Sequence, residues 1–209
     1  MLTAFTASLL LITVSELGDK TFFIAAVLAM RHRRRWVFVG ATLALALMTL
    51  LSVLMGQVAT LFPTLVVRWV EVSLFTMFGL KLLYQASQLS PEASPSEEKE
   101  AVETVTRAEQ TLTRSPSRIV PWTIVAEAFG LTFVAEWGDR TQIATIMLSA
   151  ANHPMGVVAG AVLGHAICAA IATNCGRWLC GKISERTLTA LGGSLFLLFA
   201  VIDLWALIK

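Results

Sequence analysis

The sequence predicts an all-α integral membrane protein with six transmembrane helices, arranged as two inverted three-helix repeats. Of its 209 residues, 56% are hydrophobic and 14% are charged, whereas soluble domains carry about 25% charged residues. Several apolar runs reach the roughly 20 residues that a helix needs to cross a bilayer. The two halves of the chain also repeat one another. Composition, run length and repetition therefore predict the same class.

Hydropathy locates the predicted spans along the chain at approximately 3–30, 36–60, 66–88, 120–150, 155–180 and 187–208. Between the third and fourth spans, residues 89–118 are rich in Ser, Pro and charged residues, which is typical of a solvated linker. A short helix from about Glu97 to Leu112 is expected inside it. The predicted organisation is a first three-helix repeat (1–88), the acidic Ser/Pro linker (89–118) and a second three-helix repeat (119–209).

The internal repeat is visible when the first half is moved forward by 120 positions. Glu16 then falls on Glu136, and Asp19 falls on Asp139. Each repeat holds an odd number of spans, so the two copies must cross the membrane in opposite directions. Such inverted repeats are the architecture of many secondary transporters, whose sites lie near the midplane where the repeats meet.

Basic residues predict the orientation of the chain. The loop after the first span contains four arginines within residues 31–35, and such loops stay in the cytoplasm. With alternate crossings, the linker 89–118 is also cytoplasmic, and both termini lie outside.

Each half carries one acidic motif in its first span. The motifs read Glu16-Leu17-Gly18-Asp19-Lys20-Thr21 and Glu136-Trp137-Gly138-Asp139-Arg140-Thr141. On an unbroken helix, the two acids of each motif would share a face. A charged residue at the bilayer centre costs about 2.5–3.5 kcal/mol even on the lenient insertion scale, so the carboxylates need a counter-charge or water. A divalent cation held between the motifs would supply the counter-charge. Glu16, Asp19, Glu136 and Asp139 are therefore the predicted metal ligands.

Neighbouring residues fit a cation site. Gly18 and Gly138 allow close helix packing or a local break that exposes backbone carbonyls. Neutral oxygens that would support the metal or a proton pathway come from Ser15, Thr21, Thr141 and Gln142. An all-oxygen set suits Ca²⁺, Mn²⁺ or Mg²⁺ and argues against Cu⁺ and, less strongly, Zn²⁺.

Two alternatives stay open at this level. Lys20 and Arg140 stand four residues after the glutamates of their motifs, a spacing that favours salt bridges and a purely structural, charge-balanced role. Glu127 could relay protons or attract cations near the cytoplasmic end, or simply reach water at the interface. Glu71 is predicted to be interfacial, and no role is predicted for His32.

The paired Glu-x-Gly-Asp-(Lys/Arg)-Thr motifs resemble the signatures of the UPF0016 family, also called the GDT1 family of Golgi-type cation transporters. The resemblance covers nearly the whole chain and implies exchange of cytosolic Mn²⁺, or in some members Ca²⁺, for protons. It implies that Glu16, Asp19, Glu136 and Asp139 bind the metal, with Thr21, Thr141 and Gln142 beside them. Phe22 stands at the position that matches Gln142, so the half-sites differ chemically.

The leading hypothesis is a Mn²⁺/H⁺ antiporter that works by alternating access in the inner (cell) membrane, as expected of a bacterial member of such a family. A Ca²⁺/H⁺ antiporter and, in another class, an intramembrane hydrolase with paired carboxylates are the alternatives. We expect a transporter and not an enzyme, with no cofactor. The expected partners are a divalent metal ion, protons and the lipid bilayer, without nucleic acid, and the oligomeric state is left open.

Overall fold

The computed structural model describes residues 1–89, 96–112, 120–179 and 184–209, and these residues form helices joined by short turns. The Ser/Pro-rich parts of the predicted linker and residues 180–183 lie outside the described residues. In chain order the described helices are α1 (Leu2–Glu16), α2 (Lys20–Arg31), α3 (Arg34–Ala59), α4 (Thr64–Gln88), α5 (Ser96–Leu112), α6 (Pro121–Glu136), α7 (Arg140–Ala151), α8 (Pro154–Leu179) and α9 (Glu185–Ile208).

Within the described part of the chain, three helices are long and apolar enough to cross a membrane. They cover Arg34–Ala59, Pro154–Cys175 and Glu185–Ile208, and the shorter helix Leu2–Glu16 is also apolar. Large apolar side chains such as Leu47, Leu54 and Leu198 stay exposed on their outer faces. A helix bundle with an apolar outer surface is suited to lipid as its solvent.

The first span of each half is broken in two. The sequence predicted continuous helices over about 3–30 and 120–150, but the structure interrupts them between Glu16 and Lys20 and between Glu136 and Arg140. The remaining predicted spans correspond to α3, α4, α8 and α9 within a few residues. Each half therefore consists of one broken helix followed by two long ones.

The helices of the two halves pack against each other reciprocally. The first part of each broken helix lies along the long helix of the other half, α1 on α8 and α6 on α3. The second parts of the broken helices pack on the same long helices, α2 on α8 and α7 on α3. The last helices of the two halves, α4 and α9, pack closely together. Glycine permits this approach, since a Cβ on Gly193 would lie only 3.0 Å from the Gly79 carbonyl oxygen.

The bundle has two ends, which we name by the residues found there. At the Ala151 end, Arg68 donates a hydrogen bond to the Ala151 carbonyl oxygen (3.1 Å), and Gly156 packs on the Met1 carbonyl. At the Arg31 end, Arg31 pairs with Glu109 of α5. The broken helices meet between these ends.

The linker helix α5 is packed against the bundle, whereas the sequence predicted a solvated linker. Its apolar side chains Ala101 and Val105 are fully buried against a core built around α2. Lys20 pairs with Glu100 and Arg31 with Glu109, so α5 runs parallel to α2, from the helix break to the Arg31 end. This covers α2, whose residues from Thr21 to Ala29 are all buried.

Candidate metal centre

The two helix breaks are close copies of each other. α1 ends at Glu16 and α6 ends at Glu136, and the next residue is extended in both, with φ/ψ of −64°/116° and −68°/116°. Gly18 then has a φ of +78° and Gly138 a φ of +81°. A side chain disfavours this left-handed region, so glycine is what permits the turn. Gly18 and Gly138 each stand within a helix break.

The break changes the geometry of the acids. We expected Glu16 and Asp19 to share a face of one helix, which is wrong because a helix ends at the first and another begins at the second. Asp19 and Asp139 are the N-cap residues of α2 and α7. The amino ends of these two helices carry partial positive charge and favour the nearby carboxylates.

Three of the four acids come together between the halves. Carboxylate oxygens of Glu16, Glu136 and Asp139 all lie within 4.8 Å of one another, and we call this group the carboxylate centre. Glu16 and Glu136 are each only 2% exposed. Thr21 donates to Glu16 at 2.9 Å, and Thr141 donates to Glu136 at 2.6 Å.

Each glutamate of the centre keeps one oxygen that accepts no hydrogen bond from the described residues, Oε1 in Glu16 and Oε2 in Glu136. A buried acceptor without a partner costs about 1–3 kcal/mol, and more when it is charged. Such oxygens need a proton or a cation. The arrangement is therefore chemically suited to binding either one.

The fourth acid, Asp19, is held by a basic residue of the other half. Arg140 donates to its Oδ1 at 2.9 Å, and both side chains are largely buried. Lys20 instead pairs with Glu100 of α5. Neither basic residue neutralises the glutamate four positions before it, so the salt bridges proposed within each motif do not form. The helix breaks are the reason, since they remove the i to i+4 geometry.

The side-chain amide of Gln142 stabilises the helix break at Gly138 through a hydrogen bond. Its Oε1 accepts from the Gly138 backbone N–H at 2.7 Å, and its Nε2 donates to the Met48 sulfur at 3.0 Å. The oxygen expected to support a metal is thus already engaged. Phe22, at the matching position, is a buried core residue, while the buried hydroxyl of Ser15 makes no hydrogen bond to a described residue.

Two cavities border the helix breaks. One of about 320 Å³ is lined by Gly18, Asp19 and Arg140, and extends to Glu97 of α5 and Gln88 of α4. The other, of about 340 Å³, reaches Gly138, Asp139 and Arg140 beside the second half of α4. Cations and water in these cavities can therefore come close to both breaks.

Several acidic residues lie outside the carboxylate centre. Glu127 lies away from the carboxylate centre, where its Oε2 is 3.8 Å from His32 Nε2. Glu71 was expected at the interface, but it is fully buried, 3.9 Å from Arg68. No functional role was predicted for the acids of α5. The signal was the apolar stripe of Ala101 and Val105, which are spaced four apart and indicate a helix face that packs against another element.

A model of the family described as divalent cation/proton antiporter GDT1 matches residues 4–90 and 124–209. The chain belongs to the GDT1 family. The resemblance inferred from the paired motifs is confirmed, and the two matched segments carry one motif each. Members are transporters of divalent cations and protons, as expected, and not enzymes, so the intramembrane hydrolase alternative is wrong.

Relatives of this GDT1 family chain extend over most of its length. It is 58% identical over 207 residues to a GDT1-like protein of Synechocystis sp., covering 98% of both chains. GDT1-like protein 3 of Oryza sativa is 46% identical over 202 residues, covering 93% of this chain and 71% of the relative. The chloroplastic PAM71-homolog of Arabidopsis thaliana is 40% identical over 206 residues, covering 94% of this chain and 57% of the relative. No solved structure matches.

Proposed function

We propose that the chain is a secondary active transporter that exports Mn²⁺ from the cytosol in exchange for H⁺. The carboxylate centre would bind the cation or the protons in turn. Its donor atoms are oxygens, which suit Mn²⁺ and also accept Ca²⁺. The metal is the transported substrate, and Ca²⁺ is the alternative substrate.

The observation that carries this proposal is the meeting of Glu16, Glu136 and Asp139 within 4.8 Å at two helix breaks. Broken helices in transporters present helix termini and unpaired carbonyls to a buried substrate. The carbonyls of Glu16 and Glu136, which end α1 and α6, accept from the backbone N–H groups of Asp19 and Asp139 at 3.2 Å, so the donor set rests on the carboxylates. Two glutamate oxygens that accept no hydrogen bond in the described structure supply the affinity for a cation or a proton.

Charge balance supports coupling between metal and protons. With all four acids ionised, Arg140 offsets one charge through its pair with Asp19. One divalent cation offsets two of the remaining three charges, and two protons do the same. Because the same oxygens cannot hold a proton and a metal ion together, protonation releases the metal. Exchange of one cation for two protons would leave the charge of the site unchanged.

The packing supports alternating access by two inverted repeats. Near the Ala151 end, α1 packs on α9 and α7 packs on α4, whereas no comparable packing joins α2 to α9 or α6 to α4 in the described structure. The cavity of about 320 Å³ reaches Gln88 at the end of α4 and Thr189 near the start of α9, away from the Ala151 end. This arrangement corresponds to a state open at one end, and rocking one repeat against the other would open the Ala151 end.

The arginines of residues 31–35 assign the Arg31 end to the cytoplasm. The six helical spans would then cross the cell membrane with both termini outside. The linker 89–118, including α5, would be cytoplasmic. Under this orientation the described structure faces inward and would receive Mn²⁺ from the cytosol.

The direct test is Mn²⁺ flux in liposomes that contain the purified chain and an imposed pH gradient, with Ca²⁺ measured in parallel. Glu136→Gln removes one charge of the centre without changing the size of the side chain, and we expect it to abolish flux. Glu103→Gln is the matched control, because Glu103 is an exposed acid of α5.

Gradient-driven Mn²⁺ flux that survives in Glu103→Gln and is lost in Glu136→Gln would support the proposal. Flux of Ca²⁺ with little Mn²⁺ would change the substrate and keep the mechanism. Flux of neither ion, or full activity of Glu136→Gln in a folded protein, would overturn the assignment of the site.

A further inference from the structure

A second group of potential ligands lies at the Arg31 end, one helix length from the carboxylate centre. It consists of His32 after α2, Glu109 of α5 and Glu127 of α6, and we call it the His32 cluster. One donor atom from each residue lies within 4.8 Å of the others. The 12 residues of α2 separate His32 from the helix break, a distance of about 18 Å at 1.5 Å per residue.

The distances in the His32 cluster are those of a cation site. His32 Nε2 lies 3.4 Å from Glu109 Oε1 and 3.8 Å from Glu127 Oε2. Ligands held at about 2.2 Å from one divalent ion are roughly 3–4.4 Å apart, depending on the angle between them. The side chains therefore need only small adjustments to coordinate an ion together.

Two buried polar atoms in the cluster have no hydrogen-bond partner in the described structure. They are Nε2 of His32 and Oε1 of Glu127. The Glu127 side chain is only 10% exposed and that of His32 only 14%. Burying such groups costs free energy unless they gain a partner. A bound cation would satisfy both at once.

Charge in the His32 cluster favours a cation despite the arginines nearby. Arg31 pairs with Oε2 of Glu109 and also donates to Thr106 Oγ1 at 3.1 Å, which leaves Glu109 Oε1 directed toward His32. The negative charge of a second carboxylate, Glu127, is then left for a cation to balance. Arg34 is turned away and donates to the Asn174 carbonyl at 3.3 Å.

We propose that His32, Glu109 and Glu127 bind a divalent transition-metal cation at a second site, which fastens α5 to the bundle. An imidazole nitrogen with two carboxylates suits ions such as Mn²⁺, Fe²⁺ or Zn²⁺ better than Ca²⁺ or Mg²⁺. Because α5 supplies one ligand and the bundle supplies two, the ion stabilises the docked position of α5. The proposal stands independently of the transport function.

The test uses Mn²⁺ binding to the full chain in detergent, followed by electron paramagnetic resonance. Glu16→Gln with Glu136→Gln first disables the carboxylate centre, so that any remaining tight Mn²⁺ reports on the second site. Since the carboxylate centre offers only oxygens from its three acids, coupling of bound Mn²⁺ to a ¹⁴N nucleus identifies the histidine site. We expect one bound Mn²⁺ with this ¹⁴N coupling.

His32→Gln should remove the ¹⁴N coupling and weaken binding at least tenfold, while Glu127→Gln should weaken binding and retain the coupling. His153→Gln is the matched control, because His153 is an exposed histidine in the turn before α8. Absence of bound Mn²⁺ in the background variant would overturn the proposal. So would a ¹⁴N signal or an affinity that His32→Gln leaves unchanged.

Discussion

Glu16 and Asp19 stand three residues apart but have different surroundings. Glu16 joins Glu136 and Asp139 in the carboxylate centre, whereas Asp19 pairs with Arg140 of the other half. The backbone turn does not produce this difference, since Gly138 has the same positive φ and Asp139 still lies beside Glu136. The pair with Arg140 therefore distinguishes Asp19 from Asp139.

The left-handed glycines predict a measurable loss of stability on substitution. Gly138→Ala meets open space, so its cost is the backbone strain alone, about 1–2 kcal/mol. Gly18→Ala should cost more, because its new methyl group would also press on the side chain of Leu188. Thermal unfolding in detergent should give melting temperatures that fall in that order, with Gly18→Ala lowest.

Gly130→Ala is the matched control for these variants. Gly130 lies inside α6 without a positive φ, and a methyl group there also meets open space. Alanine is favoured over glycine in a helix by about 0.5–1 kcal/mol, so this variant should keep or raise the melting temperature. A Gly138→Ala variant as stable as Gly130→Ala would contradict the strained-turn account.

At the scale of elements, hydropathy did not predict that α5 packs against the bundle. Its composition is that of a solvated segment, but its apolar stripe covers α2, and its acids pair with Lys20 and Arg31. It borders the cavity of about 320 Å³ through Glu97. Docking of α5 therefore shapes a cavity that extends to Asp19 and Arg140 at the helix breaks.

Val105→Asp should release α5 from the bundle. Val105 is fully buried, and losing its burial costs about 1.5–3 kcal/mol, which is tenfold or more in the undocked population. Limited proteolysis within 96–112 should accelerate accordingly. Val102→Asp is the control, since Val102 is 38% exposed and should leave the rate nearly unchanged. Equal rates in the two variants would argue that α5 is not held by its apolar stripe.

The docking of α5 should also depend on pH through Glu97. Burial raises the pKa of this acid above its ordinary 4.5, Glu100 and Glu185 raise it further, and Arg140 and Lys20 oppose the rise. The docked state therefore binds more protons, so docking is strongest below pH 4.5 and weakens as pH rises through the docked pKa. Hydrogen-exchange protection of α5 should fall over that window.

Glu97→Gln should flatten this pH dependence, because the amide does not titrate. Glu103→Gln, which changes an exposed acid of the same helix, should retain it. Protection that falls equally with pH in both variants would assign the effect to another group.

At the scale of the whole molecule, the cavity that extends away from the Ala151 end and the packing at that end predict one-sided access. Thr189 lines this cavity of about 320 Å³, whereas Ser149 is 1% exposed near the Ala151 end. In a chain whose three native cysteines are replaced by serine, Thr189→Cys should react with a membrane-impermeant maleimide at least ten times faster than Ser149→Cys. Comparable rates would contradict a state open at one end only.

The sequence alone determined the helical class, the approximate limits of the long helices and the membership of the GDT1 family. These depend on apolar run length and on two repeated motifs, which are local properties of the chain. It also indicated the acids and the glycines, since buried carboxylates and residues that permit a break are recognisable by type.

Only the tertiary structure decided which groups meet. Three pairings depend on the helix breaks and on the docking of α5. They join Arg140 to Asp19, the Gln142 side chain to the Gly138 backbone, and Glu109 to His32. Hydrophobic periodicity records which face of a helix is buried, but it contains no information on the partner that buries it. For that physical reason, the acids and glycines of the two motifs could be recognised from the sequence, whereas their pairings could not.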